Sequence, residues 1–423
     1  MVIGLEYKIY TLGCKVNEYE SEVMASILDN HGYIKGDNPD VIIVNTCTVT
    51  NTADSKSRKI LRKARKEYPD SILIAAGCMI QNKKDSSIDA DIIIGNKHKS
   101  EIISYLNDYK RNKIFDVEDM NGASFENMKL NNFDLTRAYI KIQDGCDNYC
   151  AFCIIPYVRG HVRCKKKEDV LSEALSLVKN GHREIVLTGI HTGNYHDGNY
   201  DFADLLSDLV KIDGLKRLRI SSVEITELND KVLSILKNSS VLVDHMHIPL
   251  QSGSDRILKI MNRKYDKKYF MDKINKIRSI RPDISITTDV IVGFPSESEE
   301  EFLETIDTIK KVNFSKLHVF PYSDRDGTVA SKMDNKVNGI VKKERTKKLI
   351  ELSKELEINY MKKFLGESLT FIPEVYDGDY LIGHTGNYLL IKVKGSKNLI
   401  GKEVSVDLKE IDYPYIISEV NVK

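Results

Sequence analysis

Seven cysteines stand in this chain of 423 residues. Three of them, Cys146, Cys150 and Cys153, fall in the stretch Gly145-Cys-Asp-Asn-Tyr-Cys-Ala-Phe-Cys-Ile-Ile-Pro-Tyr-Val-Arg-Gly160. Thiolates are the soft ligands that iron-sulfur clusters take, and this spacing lets one loop wrap three corners of a cubane. The fourth iron then has no protein ligand, which is the open position that separates a catalytic metal centre from a closed structural one. A zinc site is the rival reading, because Cys164 or His161 could complete a four-ligand shell. Zinc spacing pairs C-x2-C units, however, and only Cys150 with Cys153 fits that pattern.

Three more cysteines follow predicted strands. From Tyr7 to about Ile114 short apolar runs alternate with helical patterns, and Lys8 to Leu12, Val41 to Val44, Ile72 to Ala76 and Ile92 to Ile94 read as parallel strands. Cys14, Cys47 and Cys78 come directly after the first three of these. In an open parallel sheet the carboxyl ends of the strands line the ligand crevice, so three separate stretches would deliver three thiols to one edge. Three apolar core cysteines are the plainer alternative.

The loop of Cys146 needs a second scaffold. Ala138 to Ile142, Glu184 to Leu187, Leu218 to Ile220, His245 to Pro249, Ser285 to Val292 and Lys316 to Phe320 read as six strands, separated by helical stretches such as Lys167 to Lys179 and Glu299 to Lys311. Ser298 with Glu301 predicts a capping box for the latter, whose buried stripe is Phe302, Ile306 and Ile309. Six βα units make a partial barrel, open on one side, with its site at the carboxyl ends of the strands. A basic helix from Asn338 to Lys363 follows, and then β-rich segments with Gly and Asp turns that predict a small β-barrel. The expected division is an α/β domain over 3–118, a linker over 119–134, a partial (β/α)6 barrel over 135–358 and a small β domain over 360–423.

Charge narrows the partners only locally. Lys and Arg number 63 against 62 Asp and Glu, a formal charge of +1. A phosphate-binding surface would therefore have to be a patch. Candidates are the run Lys56, Arg58, Lys59, Arg62, Lys63, Arg65, Lys66 and the cluster Arg159, His161, Arg163, Lys165, Lys166, Lys167, the first of which reads equally well as a solvated helix face. In the terminal domain Phe371, Tyr376, Tyr380, Tyr388, Lys392 and Lys394 could face RNA, or the aromatics could be core. The longest apolar run, Ile72 to Ile80, is too short to span a bilayer, so a cytoplasmic protein with no membrane partner is expected, where thiols stay reduced and serve metals or catalysis. His191 and His196 read as solvated loop residues and Cys164 as incidental.

The C-x3-C-x2-C loop resembles the signature of radical S-adenosylmethionine enzymes. Tyr10-Thr-Leu-Gly-Cys-Lys-Val-Asn-Glu-Tyr-Glu-Ser-Glu22, Asn45-Thr-Cys-Thr-Val-Thr50 and Gly77-Cys78 are similar to the N-terminal domain of the methylthiotransferases. So are Glu184-Ile-Val-Leu-Thr-Gly-Ile190, His247-Ile-Pro-Leu-Gln-Ser-Gly-Ser254 and Thr288-Asp-Val-Ile-Val-Gly-Phe-Pro295 in the barrel, while the last domain looks like a TRAM module. Lys15-Val16-Asn17 and Thr48-Val49-Thr50 resemble the MtaB branch, which acts on N6-threonylcarbamoyladenosine at position 37 of tRNA.

The resemblance implies two [4Fe-4S] clusters, one on Cys146, Cys150 and Cys153 and an auxiliary one on Cys14, Cys47 and Cys78. It implies S-adenosylmethionine chelated at the open iron and cleaved to a 5'-deoxyadenosyl radical that takes the hydrogen from C2 of the adenine, the sulfur coming from the auxiliary cluster. Positions carried over toward S-adenosylmethionine are Thr188, Gly189, Ser222, Glu224, Gln251 and Gly293; those toward RNA are Arg159, Arg163, Tyr376, Lys392 and Lys394. Expected partners are tRNA with adenosine at position 37, an electron donor such as flavodoxin or ferredoxin, and a sulfur donor. Glu224 is followed by Ile225 where the family more often has proline, and Cys164 also departs from its pattern. The competing functions are methylthiolation of isopentenyladenosine 37 or of a ribosomal protein side chain, and a non-catalytic iron-sulfur protein that binds RNA.

Overall fold

The computed structural model describes residues 4–421. The first unit is a six-stranded parallel sheet in the order β2-β1-β3-β4-β5-β6, formed by β1 (Glu6–Thr11), β2 (Ile34–Lys35), β3 (Val41–Thr46), β4 (Ile72–Gly77), β5 (Ile92–Ile94) and β6 (Ile114–Asp116). Helices α1 (Lys15–Asn30), α2 (Asn51–Glu67), α3 (Cys78–Lys83) and α4 (Ile102–Asp108) cover its faces. Because β3 is covered on both sides, all six of its residues are buried, and its side chains alternate between two apolar clusters, Val41 and Ile43 on one face and Ile42 and Val44 on the other. The short edge strands β2 and β6 carry too few apolar residues to register as strands in the sequence.

The second unit is the expected partial barrel. Strands β7 (Arg137–Lys141), β10 (Glu184–Thr188) and β13 (Arg217–Ile220) form one parallel sheet, and β14 (His245–His247), β15 (Ser285–Val292) and β16 (Lys316–Pro321) another; a bridge from Leu218 to Leu242 links them. The intervening pieces are the pair β8 (Gln143–Asp144) and β9 (Arg163–Cys164), and the small hairpin β11 (His196–Asp197) and β12 (Tyr200–Asp201). Helix Lys167–Lys179 forms where expected, and the capping box of Ser298 and Glu301 opens Glu299–Val312, a cap worth about 1 kcal/mol. Phe302 and Ile309 are buried and Ile306 packs against the same core. Segment 119–134 is irregular, yet it is packed rather than solvated. Met128, Leu130 and Phe133 enter the barrel core, and the Met128 carbonyl accepts from Tyr19 at 2.7 Å.

The third unit is a closed five-stranded barrel, β17-β18-β19-β21-β20, from β17 (Ser368–Asp377), β18 (Tyr380–Thr385), β19 (Leu390–Lys394), β20 (Val404–Asp412) and β21 (Tyr415–Val420). Helix Gly339–Lys362 runs along β16, and its last turn adds Tyr360 and Met361 to the terminal barrel's core. This barrel docks at the amino ends of the larger barrel's strands, away from the cysteines. Arg137 pairs with Glu374 at 3.0 Å, and Arg217 donates to the carbonyls of His384 and Thr370, each at 2.9 Å. Tyr388 stacks between His245 and His384 at 4.5 and 4.4 Å, with Arg219 over its ring.

For two of the terminal domain's aromatics the structure decides for the core reading over an RNA-facing one. Phe371 is fully buried in the small barrel, and Tyr388 is the plug between domains. Tyr376 remains exposed, and Lys392 lies over Tyr380 and Tyr415. On α2, Lys56, Arg58, Lys59, Arg62, Lys63 and Lys66 form an exposed basic face, whereas Arg65 turns to Asp91 at 2.6 Å. Among the described residues no helix is long and apolar enough to cross a membrane.

Candidate functional site

The loop after β7 carries Cys146, Cys150 and Cys153 over the carboxyl ends of the barrel strands. Its two limbs are tied by the β8–β9 pair and by the Cys146 N–H donating to Gly160 O at 3.0 Å. Ala151 bonds the far side of the barrel, its N–H reaching Met261 O at 3.0 Å and its carbonyl accepting from Ala330 at 2.8 Å. The three cysteines line a cavity of ≈180 Å³ with Asn148, His191, Ser222, Glu224, Gln251 and Arg263. Burial pushes the Cys153 thiol up to about 12, while at Cys150 the Arg263 guanidinium, 3.2 Å from the sulfur, works against the same effect. Arg263 is itself ion-paired with Glu224.

Among the described residues, the only group of three or more His, Cys, Asp and Glu with ligand atoms all within 4.8 Å of one another is His98, Asp116 and Glu118. A cubane takes each thiolate on a different iron, and three thiols lining one cavity suit it. Cys164 lies instead beside His196, its sulfur 3.9 Å from Nδ1 and 3.4 Å from the His196 N–H, with burial raising it to about 11.

Cys14, Cys47 and Cys78 follow β1, β3 and β4, which are neighbours in the sheet. Gly13 permits their approach, since a Cβ there would lie 2.8 Å from Cys47 Cβ. Asn17 ties the strand ends together, its Nδ2 donating to Leu12 O at 2.7 Å and Thr46 O at 2.9 Å. Cys14 is the N-cap residue of α1 and Cys78 the first residue of α3. Cys47 and Cys78 are buried and Cys14 is exposed; burial raises Cys47 to about 11. Cys78 packs with Ile154 and Val158, which flank and enter the short helix α5 (Ile155–Arg159), so the two triads face one another across the cysteine loop.

Between them lies a buried charge network. Glu20 of α1 pairs with Lys99, with Lys141 at 2.7 Å and with Arg159 at 2.9 Å, and Asp144 pairs with Lys141, Arg159 and Arg163 at 2.7, 3.1 and 3.0 Å. Four cations against two carboxylates leave an excess of two positive charges. Burial opposes the charge on Arg159, and Cys78, Glu20, Asp144 and Cys14 together hold it well above the usual range. Its Nε is buried without a hydrogen-bond partner among the described residues. An orphaned donor and surplus positive charge beside three thiols fit an anionic iron-sulfur group.

These contacts correct the expected RNA role of Arg159 and Arg163. Arg159 is fully buried and Arg163 is turned inward to Asp144, so neither side chain reaches a phosphate; Lys165 is likewise buried against Glu173. Three of the six positions carried over toward S-adenosylmethionine, Ser222, Glu224 and Gln251, line the ≈180 Å³ cavity. The other three do not. Thr188 is buried, Gly189 packs on Gln143, and Gly293 is covered by Lys342, whose Cγ would lie 2.2 Å from an added Cβ. Ile190, His191 and Thr192 line the cavity in place of the strand end.

His191 is not solvated. Burial disfavours its proton, but Cys146 and Glu227 outweigh that and lift the imidazole to about 10. Neither His191 nor Arg263 carries a sequence signal, because each acquires its cysteine only through folding. A second cavity of ≈200 Å³ shares Phe152, Cys153, Ile155 and Gln251 with the first and adds Val49, Thr50, Asp289, Ile291 and Phe320. It therefore joins the Cys153 loop to the loop that follows Cys47.

Comparison with known proteins agrees with this layout. The family model described as the radical SAM superfamily matches residues 140–309, and that described as uncharacterized protein family UPF0004 matches residues 6–95. The chain is 42% identical to the threonylcarbamoyladenosine tRNA methylthiotransferase MtaB of Bacillus subtilis, covering 96% of this chain and 94% of that protein. It is 36% identical to the Thermotoga maritima protein of the same name, over 97% and 96%. To the tRNA-2-methylthio-N(6)-dimethylallyladenosine synthase of Carboxydothermus hydrogenoformans it is also 36% identical, over 96% of both chains. Among solved structures, the radical S-adenosylmethionine methyltransferase TsrM from Kitasatospora setae, with cobalamin and a [4Fe-4S] cluster bound, aligns with a TM-score of 0.57 at 13% identity over 78% of this chain and 77% of that one. That likeness concerns the fold alone.

Proposed function

Because the chain belongs to the radical S-adenosylmethionine methylthiotransferases, we propose that it is the enzyme that places a methylthio group on C2 of N6-threonylcarbamoyladenosine 37 in tRNA. The observation that carries this reading is the pair of cysteine triads facing each other across one loop, with two cavities meeting at Cys153. Cys146, Cys150 and Cys153 would hold one [4Fe-4S] cluster and Cys14, Cys47 and Cys78 the other. Bound there, the clusters supply the electron for reductive cleavage of S-adenosylmethionine and a seat for the incoming sulfur.

The chain's own groups bind, orient and exclude water. Arg263 neutralises Cys150 and fixes Glu224, whose carboxylate suits an amine or ribose hydroxyl in the ≈180 Å³ cavity. Gln251 stands at the junction of the two cavities, with a left-handed φ of 66°. Phe152, Ile155, Ile291 and Phe320 give the ≈200 Å³ cavity apolar walls against which a base would stack away from water. Tyr376, Lys392 and Lys394 of the small barrel are the residues proposed to meet RNA. The setting is proposed to be the cytoplasm, with flavodoxin or ferredoxin as electron donor and a separate sulfur donor.

The test uses the anaerobically reconstituted protein with S-adenosylmethionine, a reductant and tRNA carrying either modified adenosine, read by nucleoside mass spectrometry. Formation of the 2-methylthio derivative of threonylcarbamoyladenosine is expected. Product only from isopentenyladenosine moves the enzyme to the other branch, and no product on either tRNA with both clusters intact refutes the reading.

A further inference from the structure

Cys78 has a buried polar neighbour in Asn96, which lies just past β5, the strand paired with β4. The Asn96 backbone is clamped from α3, the helix that Cys78 opens. Its N–H donates to Gln81 Oε1 at 2.9 Å, and Gln81 Nε2 donates in turn to Glu118 O at 2.7 Å. Gly95 makes room for that side chain, since a Cβ there would lie 2.1 Å from Gln81 Oε1. The Gly77 N–H donates to Gly95 O at 3.1 Å, so the residues just before Cys78 and Asn96 are tied to each other as well.

Three partners fix the side-chain amide. Its Nδ2 donates to Val158 O at 2.8 Å and stands 3.5 Å from Cys78 Sγ, while its Oδ1 lies 3.4 Å from the Lys99 ammonium. A carbonyl can only accept and an ammonium can only donate, so the amide has one orientation. One of its N–H groups goes to Val158 and the other is left for the sulfur. Oδ1 is 3.7 Å from the same sulfur, a contact that a thiol proton would use. A thiolate has no proton to give, so with Cys78 as a ligand only the N–H···S bond remains. Among the described residues no other side chain is hydrogen-bonded to Cys78, whose remaining cover from Ile154 and Val158 is apolar.

We propose that Asn96 is a positioning residue of the auxiliary site: its amide donates to the Cys78 thiolate, favouring the reduced state of the cluster held there, and through Val158 O the same nitrogen ties the other cysteine loop to it. This rests on the two-cluster reading above and deepens it. Hydrogen bonds to the ligand sulfurs are among the factors that set an iron-sulfur potential, and a donor stabilises the more negative, reduced state. Val158 belongs to α5, within the loop that carries Cys146, Cys150 and Cys153, so one buried amide touches both halves of the centre.

The experiment is voltammetry of the reconstituted full chain, with iron content measured alongside. S-adenosylmethionine shifts the wave of the cluster it binds, on Cys146, Cys150 and Cys153; the wave it leaves in place belongs to Cys14, Cys47 and Cys78. Asn96→Ala removes the donor and is expected to lower the equilibrium constant for one-electron reduction at the auxiliary wave by about tenfold, a shift of about 59 mV, with the other wave unmoved. Asn96→Asp keeps the shape and the acceptor for Lys99 but adds a negative charge, so it should shift the auxiliary wave the same way and further. Should neither variant retain its iron, pulse EPR of the reduced wild type with nitrogen-15 in its asparagine side chains decides, and a nitrogen coupling to the auxiliary cluster is expected. An unmoved auxiliary wave in Asn96→Ala with both clusters present, an equal shift of both waves, or no nitrogen coupling in the wild type overturns the inference and leaves the two-cluster reading standing. Iron for only one cluster in the wild type removes that reading itself, and the inference with it.

Discussion

Glu20→Gln tests whether α1 is held on the barrel by charge. The carboxylate is buried and contacts three cations, Lys99, Lys141 and Arg159. Lys141 and Arg159 keep Asp144 in the variant, at 2.7 and 3.1 Å. Lys99 does not; its remaining contacts are the side-chain oxygens of Asn45 and Asn96, each at 3.4 Å. The loss therefore centres on one buried, unpaired ammonium. Removing one partner of a buried pair costs about 3–5 kcal/mol, and with two of the three cations still paired about 3 kcal/mol is expected. At roughly 2–4 °C per kcal/mol for domains of this size, the apparent melting midpoint should fall by about 6–12 °C.

A second signature is its pH dependence. Burial would raise the Glu20 carboxyl, but Arg159, Lys141 and Lys99 outweigh it and hold it below the usual carboxylate range. A depressed folded value contributes stability that is fully present above the unfolded pKa of about 4.3 and drains as pH falls toward the folded one. The gap between wild type and variant should be constant near neutral pH and narrow below about pH 4. Anaerobic thermal melts from neutral to acid pH measure both. A variant melting within about 1 °C of the wild type at pH 7, or a gap that does not narrow in acid, refutes an electrostatic role for Glu20.

Three other perturbations separate the site's parts. Cys146→Ala should lower bound iron by about four per chain and abolish release of 5'-deoxyadenosine, whereas Cys78→Ala should lose as much iron yet keep that release; iron assay and chromatography distinguish them. Cys164→Ser should leave iron content unchanged, since that thiol sits against His196, and a lost cluster would sink the three-ligand assignment. Tyr388→Ala removes a ring stacked on two histidines and covered by Arg219, a truncation of about 3 kcal/mol, so limited proteolysis should release the terminal barrel sooner while absorbance of both clusters stays unchanged.

Local patterns in the sequence were enough for the chemistry and the scaffold. The spacing of Cys146, Cys150 and Cys153 lies within one loop, and Cys14, Cys47 and Cys78 each follow an apolar run, so their order along the chain already implied one sheet edge. The six barrel strands and the capping box at Ser298 were legible for the same reason, because periodicity and capping are properties of short windows. What the windows could not give was the partner of a charge. Arg159 and Arg163 read as a basic patch until α1 brought Glu20, and β8 brought Asp144, to within hydrogen-bonding distance. Arg263 met Cys150 and Tyr388 closed the barrel floor by the same means, through residues distant in sequence. Long-range electrostatics and packing depend on which elements meet, and only the tertiary structure decides that; ligand spacing and element periodicity are written locally, and the sequence determined those by itself.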